Sequence, residues 1–224
     1  MSSYILNIET ATTNCSVSLS KKGETLVLKE DYNSGYSHAE RLHIYIDQVL
    51  REANMSVDKL DAVAISKGPG SYTGLRIGVS SAKGLCYAAN KPLISVPTLE
   101  ALAHQVKTKE GMIIPMLDAR RMEVYSAVYD ANHSLIRETQ AQVLEANIFD
   151  NYLKKYKVYF IGNGVEKAKK VINHPNAIFI EGKLPSANEM SLLSFEKYKK
   201  SDIEDVAYFE PYYLKDFIAL KPKS

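Results

Sequence analysis

Three short β-prone runs open the chain, Tyr4 to Ile8, Cys15 to Ser20 and Glu24 to Lys29, joined by the polar turns Glu9 to Asn14 and Lys21 to Gly23. Runs of this length between turn residues predict hairpin-linked strands, a β-meander. The period then changes. Leu42, Tyr45, Ile46, Val49, Leu50 and Ala53 recur at helical spacing behind Ser37 and Glu40, a capping-box pair. Asp61 to Ser66 reads as a buried strand, a glycine-rich stretch follows it, Leu75 to Ala89 has helical composition, and Pro92 to Val96 is again strand-like. Three strands in hairpin order, then helix, strand, helix and strand, predict a mixed sheet with parallel crossovers and helices covering its faces.

From Met112 the pattern partly repeats. Met112 to Leu117, Glu123 to Tyr129 and Leu135 to Gln140 read as strands, Glu145 to Lys154 as a helix and Val158 to Ile161 as a strand. A turn at Gly162-Asn163-Gly164, a helix over Val165 to Ile172 and a strand over Ala177 to Ile180 complete the second set. The economical reading is an α/β chain of two ribonuclease-H-like units with mixed five-stranded sheets, the two-lobed actin-like (ASKHA) fold. The expected lobes are residues 1–105 with 206–224, and residues 106–205.

Composition narrows the function classes. Hydrophobic residues make up 46% and charged residues 24% of the 224, which fits a packed globular chain and not a disordered one. Lys and Arg number 28 against 26 Asp and Glu, so net charge supplies no general drive toward nucleic acid. The three lysines of Leu214 to Ser224 and the lysine-rich stretches 154–157 and 197–200 read as solvated surface. Cys15 and Cys86 form no CxxC pair, the amino terminus lacks a basic region leading an apolar run, and no apolar stretch is long enough to span a bilayer. A cytoplasmic protein without a membrane segment is expected.

Residues 68–78, GPGSYTGLRIG, form the densest glycine signal. A Walker loop needs a following lysine, and the dinucleotide fingerprint needs glycine where Thr73 stands. Gly70, Gly74, Gly78, Ala82 and Cys86 recur every four residues and draw a small-residue stripe along one helix edge, which permits close approach of another element. That element is either the chain's own sheet or helix, or a partner helix. His38, His43, His104, His133 and His174 include no pair three or four apart, as a helical zinc site requires. His38 with Glu40 and Arg41 reads as an acid–base cluster or, more simply, as a helix cap. No GxSxG nucleophile elbow occurs, and Asp118 reads as a strand-end ligand or a turn residue.

Several stretches, YILNIETATTNCSVSL, SHAERL, DAVAISKGPGSYTGLRIGVSSAKGLCYAANKPLISVPTLEALA, DARRMEVYSAVYD and the late EPYYLKDF, resemble the TsaB family, also called YeaZ. The resemblance is close over residues 4–129 and thins beyond. It implies a non-catalytic scaffold that supports the paralogous catalytic subunit TsaD, with the ATPase TsaE as third component, in making threonylcarbamoyladenosine in tRNA. Transfer RNA is then reached through the complex. The paralogue's metal motif resembles HxEGH, and the matching stretch here is Thr98-Leu99-Glu100-Ala101-Leu102, which replaces both imidazoles. Actin-like ATPases open with Asp-x-Gly, whereas this chain has Glu9-Thr10-Ala11.

By position, the resemblance places the partner surface on the two amino-lobe helices. It nominates His38, Arg41, Leu42, Tyr45, Ser71, Gly74, Leu75, Gly78 and Ala82, with the small-residue stripe facing the partner; a homodimer through the same helices when the partner is absent stays open. No catalytic residue, metal or cofactor is expected. Weak nucleotide binding near Gly162 and Gly164 stays open, and the alternative is a stand-alone actin-like ATPase or small-molecule kinase.

Overall fold

The computed structural model describes residues 3–32 and 38–214. The first sheet contains β1 (Tyr4–Glu9), β2 (Cys15–Lys21), β3 (Glu24–Asp31), β4 (Ala62–Ser66) and β5 (Leu93–Val96), in the order β3-β2-β1-β4-β5. The meander strands pair antiparallel, and β4 joins β1 and β5 in parallel. The second sheet contains β6 (Met112–Asp118), β7 (Glu123–Asp130), β8 (Leu135–Val143), β9 (Val158–Ile161) and β10 (Ala177–Ile180), in the order β10-β9-β6-β7-β8. Its pairings repeat the same antiparallel and parallel scheme. Each sheet therefore has the same connectivity about its first strand. The chain is a two-lobed actin-like α/β fold of two ribonuclease-H-like units, as the element order predicts.

Helices α1 (His38–Glu52) and α2 (Tyr72–Ala89) cover one face of the first sheet. Leu42, Ile46 and Val49 from α1 and Val79, Ala82 and Cys86 from α2 pack on Leu6, Ile8, Val17 and Ile65. Ser37, the predicted cap of α1, lies outside the described residues. Helix α2 is capped by Ser71, whose Oγ accepts from Gly74 N at 3.3 Å, and ends at Asn90 in the left-handed region with φ 50°.

A short helix, α3 (Thr98–Ala103), sits between the lobes. Leu99 and Leu102 join Ile113, Leu117 and Ala127 of the second sheet, while Ala101 packs with Ile94 and Val96 of the first. Helices α4 (Asp150–Leu153) and α5 (Val165–Val171) belong to the second lobe. Residues 145–154 do not form the single helix expected from their pattern. Turns carry the chain to Phe149, whose ring is fully buried 5.4 Å from that of Phe160, and only Asp150–Leu153 closes as α-helix.

The last helix, α6 (Ala187–Lys199), corrects the expected division of the chain. The sequence pattern puts residues 106–205 in one lobe, yet α6 packs on β1, β2 and β5 of the first sheet. The contact mixes hydrogen bonds with apolar packing: Ser194 Oγ donates to Asn7 Oδ1 at 2.6 Å and Ser18 Oγ to Ala187 O at 2.8 Å, while Met190 packs with Ile5, Ala62, Ile94 and Val96. Past α6 the chain stays with the first lobe, where Tyr212 N donates to Lys67 O at 2.7 Å and Lys83 Nζ to Phe209 O at 2.9 Å. The lysine-bearing tail beyond Leu214 lies outside the described residues. Among the described residues no helix is long and apolar enough to cross a membrane.

Candidate functional site

The β1–β2 turn stands where a nucleotidase of this fold would hold phosphate, and here it is filled by the chain itself. Glu9 is fully buried. Its Oε1 accepts from Ala11 N at 2.6 Å and from Ser66 Oγ at 2.9 Å, tying the turn to the end of β4. Burial pushes the Glu9 carboxyl up to about 7, only partly offset by those donors. The glycine edge of α2 closes over the same turn. A Cβ on Gly74 would overlap Thr10 O, and one on Gly78 would overlap Thr10 Oγ1. Two amides at this end of α2 are engaged within the chain: Ser71 N donates to Ala11 O at 2.7 Å and Gly74 N to Ser71 Oγ. The loop is built for contact between backbones, as the intramolecular reading of the stripe supposes.

This placement corrects most of the nominated partner residues. Leu42, Gly74, Leu75, Gly78 and Ala82 are buried within the first lobe and present nothing to a partner. His38 is 2% exposed, and its Nε2 lies 2.6 Å from Thr12 O. A carbonyl only accepts, so Nε2 carries the proton, and burial lowers the pKa of the ring. Arg41 pairs with Asp31 and donates to Tyr45 Oη at 3.3 Å, which fixes α1 against β3. Arg41, Tyr45 and Ser71 remain partly exposed.

The outward surface of the same two helices is made by residues the sequence reading passed over. Thr73, Arg76, Ser80, Gly84 and Tyr87 follow one another at spacings of three or four along α2, and all are exposed, Tyr87 to 86%. A Cβ on Gly84 would meet nothing within 4 Å. On α1, Ile44 is 52% exposed beside His43, whose Nε2 lies 3.3 Å from Ser81 Oγ and links the helices. The exposed stripe is thus a quarter-turn or more away from the buried one. Its signal was legible as small Ser80 and Gly84 flanked by Arg76 and Tyr87, the residue types that anchor interfaces.

The other chemical candidates are accounted for locally. Cys15 and Cys86 are buried, and burial pushes both thiols up to about 12, far from nucleophilic ionisation. Asp118 accepts from Arg120 N at 2.6 Å and from Lys167 Nζ at 2.6 Å, so it organises the β6–β7 hairpin. Thr98 Oγ1 accepts from Gly68 N at 3.1 Å, and Leu102 is buried in the interlobe core. Among the described residues no group of three His, Cys, Asp or Glu side chains is placed to hold a metal.

A family model described as TsaD: tRNA N6-adenosine threonylcarbamoyltransferase matches residues 33–222. The Escherichia coli (strain K12) tRNA threonylcarbamoyladenosine biosynthesis protein TsaB is 30% identical, across 97% of this chain and 96% of its own length. The chain belongs to the TsaB family. The TsaB protein of Haemophilus influenzae is 28% identical over 97% of this chain and 95% of its own. Among solved structures, YeaZ from Pseudomonas aeruginosa superposes with a TM-score of 0.79 at 25% identity, covering 95% of this chain and 100% of that one. A second crystal structure, of an uncharacterized protein with similarity to the peptidase YEAZ from Pseudomonas aeruginosa, gives 0.81 at 26% identity with the same coverage. These relatives and neighbours cover nearly the whole two-lobed chain.

Proposed function

We propose that the chain acts in tRNA threonylcarbamoyladenosine biosynthesis as a non-catalytic subunit that binds and supports a TsaD-like catalytic partner. One observation carries this reading. At the two positions where the resemblance puts the paralogue's metal-binding imidazoles, the chain has a threonine spent on Gly68 and a leucine spent on the interlobe core. The filled β1–β2 turn supports it independently, because Glu9 and the buried glycine edge occupy the ground a phosphate hairpin would need.

The partner sits on the outer stripe of α2 and the adjoining surface of α1. Ser80 and Gly84 let a helix approach closely, and Tyr87, Arg76 and Ile44 supply anchors around them. A second copy of this chain uses the same stripe when the partner is absent, so the homodimer and the heterodimer exclude each other. A TsaE-like ATPase joins as third component, tRNA is reached through the complex, and the subunit works in the cytoplasm without a cofactor of its own.

Reconstitution tests the assignment. Modification of tRNA by the TsaD-like and TsaE-like proteins should require this chain, while the chain alone should turn over no ATP. Turnover of ATP or phosphorylation of a small molecule by the purified chain would return the reading to a stand-alone enzyme.

A further inference from the structure

A cavity of about 250 Å³ opens between the lobes, with Lys67 and Glu100 on the first-lobe side, Tyr129, Glu138 and Thr139 on the second sheet, and Tyr212 of the returning tail at its border. Tyr129 is only 5% exposed, yet its hydroxyl makes no hydrogen bond among the described residues. The Lys67 ammonium and the carboxylates of Glu100 and Glu138 likewise have no hydrogen-bond or ion-pair partner among them. A nearly buried hydroxyl without a partner is costly to leave unmatched, and it stands beside partly exposed Lys67 and Glu100 and exposed Glu138. His133, also on the wall, is committed through Nε2 to the carbonyls of Ala103 and Val106, each at 3.2 Å.

The charges facing this space sense one another. Burial raises the Glu100 carboxyl, with Lys197 and Lys67 opposing the shift. Burial, then the Glu100 and Glu138 charges, raises the Tyr129 phenol, so both carboxylates act on that hydroxyl. Two carboxylates and one ammonium define the complement: a cationic group for the first pair and an anionic group for the lysine. The volume falls below the usual range for drug-sized ligands and suits a small metabolite. A bare amine leaves Lys67 unmatched, a bare carboxylic acid meets two like charges, and a nucleoside triphosphate brings several negative charges to a wall with a single lysine.

We propose that this interlobe cavity binds a free α-amino acid, its ammonium set against Glu100 and Glu138 and its carboxylate against Lys67, with Tyr129 Oη hydrogen-bonded to the bound molecule. The full chain should be titrated with the common α-amino acids singly, followed by ligand-observed NMR and calorimetry, with ethylamine and acetate as probes that carry one group each. At least one amino acid should bind with a millimolar or tighter Kd, and both single-group probes at least tenfold more weakly. Glu100→Gln and Lys67→Met should each weaken that binding tenfold or more at unchanged melting temperature, and Tyr129→Phe by a smaller factor. Both charged residues are partly exposed, so their replacement spares the core. The proposal is overturned if no amino acid binds the unmodified chain, if ethylamine or acetate binds as well as the amino acid, or if the folded variants bind unchanged.

Discussion

The two lobes share one strand order and differ in what they lay over it. In the first, the helix before the fourth strand has 15 residues and the helix after it 18; their counterparts in the second have 4 and 7. A five-stranded sheet of this topology therefore closes its core with much shorter helices. Both lobes also use glycine after the fourth strand to seat the following segment against the first strand or the turn that ends it. Gly78 and Gly74 do this against Thr10, and Gly162 does it against Met116 O, at φ 112°. The longer helices of the first lobe bury one side along their length and leave a correspondingly longer outward surface, and that surface carries the proposed interface.

The sharpest test of the shared device is to fill it in both lobes. Gly78→Leu and Gly162→Val should each destabilise the chain by more than about 4 kcal/mol or prevent folding, because the new side chain meets backbone or a core residue with no room to yield. Denaturant melts decide it. A well-folded Gly78→Leu protein would mean that the edge is not closed against Thr10.

Glu9 distinguishes the lobes electrostatically. In the folded chain it holds its proton up to about 7, against an ordinary value of 4.5, so between these the native state binds more protons than the unfolded one. Its contribution to stability is complete below pH 4.5 and drains away as pH rises through 7, by about 3 kcal/mol in total. Glu9→Gln keeps an acceptor for Ala11 and Ser66 but cannot ionise. Its stability relative to the parent should therefore improve from pH 5 to pH 8; a constant difference across that range would contradict the buried neutral acid.

On the outer stripe the expected effects fall on binding. Gly84→Arg should weaken the TsaD-like partner about a hundredfold, roughly 2.7 kcal/mol, while the melting temperature holds, as calorimetric titration and thermal melts would record. The smallest change is the most discriminating. Gly84→Ala should stabilise the free chain by about 0.5–1 kcal/mol, since it removes a helix-interior glycine where a Cβ meets open space. The same type of residue six positions earlier in α2 tolerates nothing larger.

Much of the fold was legible because the signals were apolar and periodic. The meander, the buried strands and the spacing of Leu42, Ile46 and Val49 all declare themselves through what they bury. Helix α6 does not, because the side it turns inward mixes serines with apolar residues, Ser191 and Ser194 against Asn7 and Ser18 beside Met190 on Ile5 and Ile94, so no clean hydrophobic period marks it. The candidate site was legible only as to which helices carry it. The stripe of small residues gave a correct statement about close approach, but spacing alone cannot say which side of a helix turns inward, and the β1–β2 turn took the edge assigned to a partner.

The central claim is that the first lobe's longer outward surface exists to be covered. It is tested most directly by mixing the chain with its cognate TsaD-like protein and measuring mass by light scattering across a size-exclusion peak, with the parent and Gly84→Arg run side by side. The account predicts a one-to-one heterodimer that replaces any homodimer with the parent chain and is lost with the variant. Two separate, unchanged peaks with the parent chain, or an equally stable heterodimer with Gly84→Arg, would contradict it.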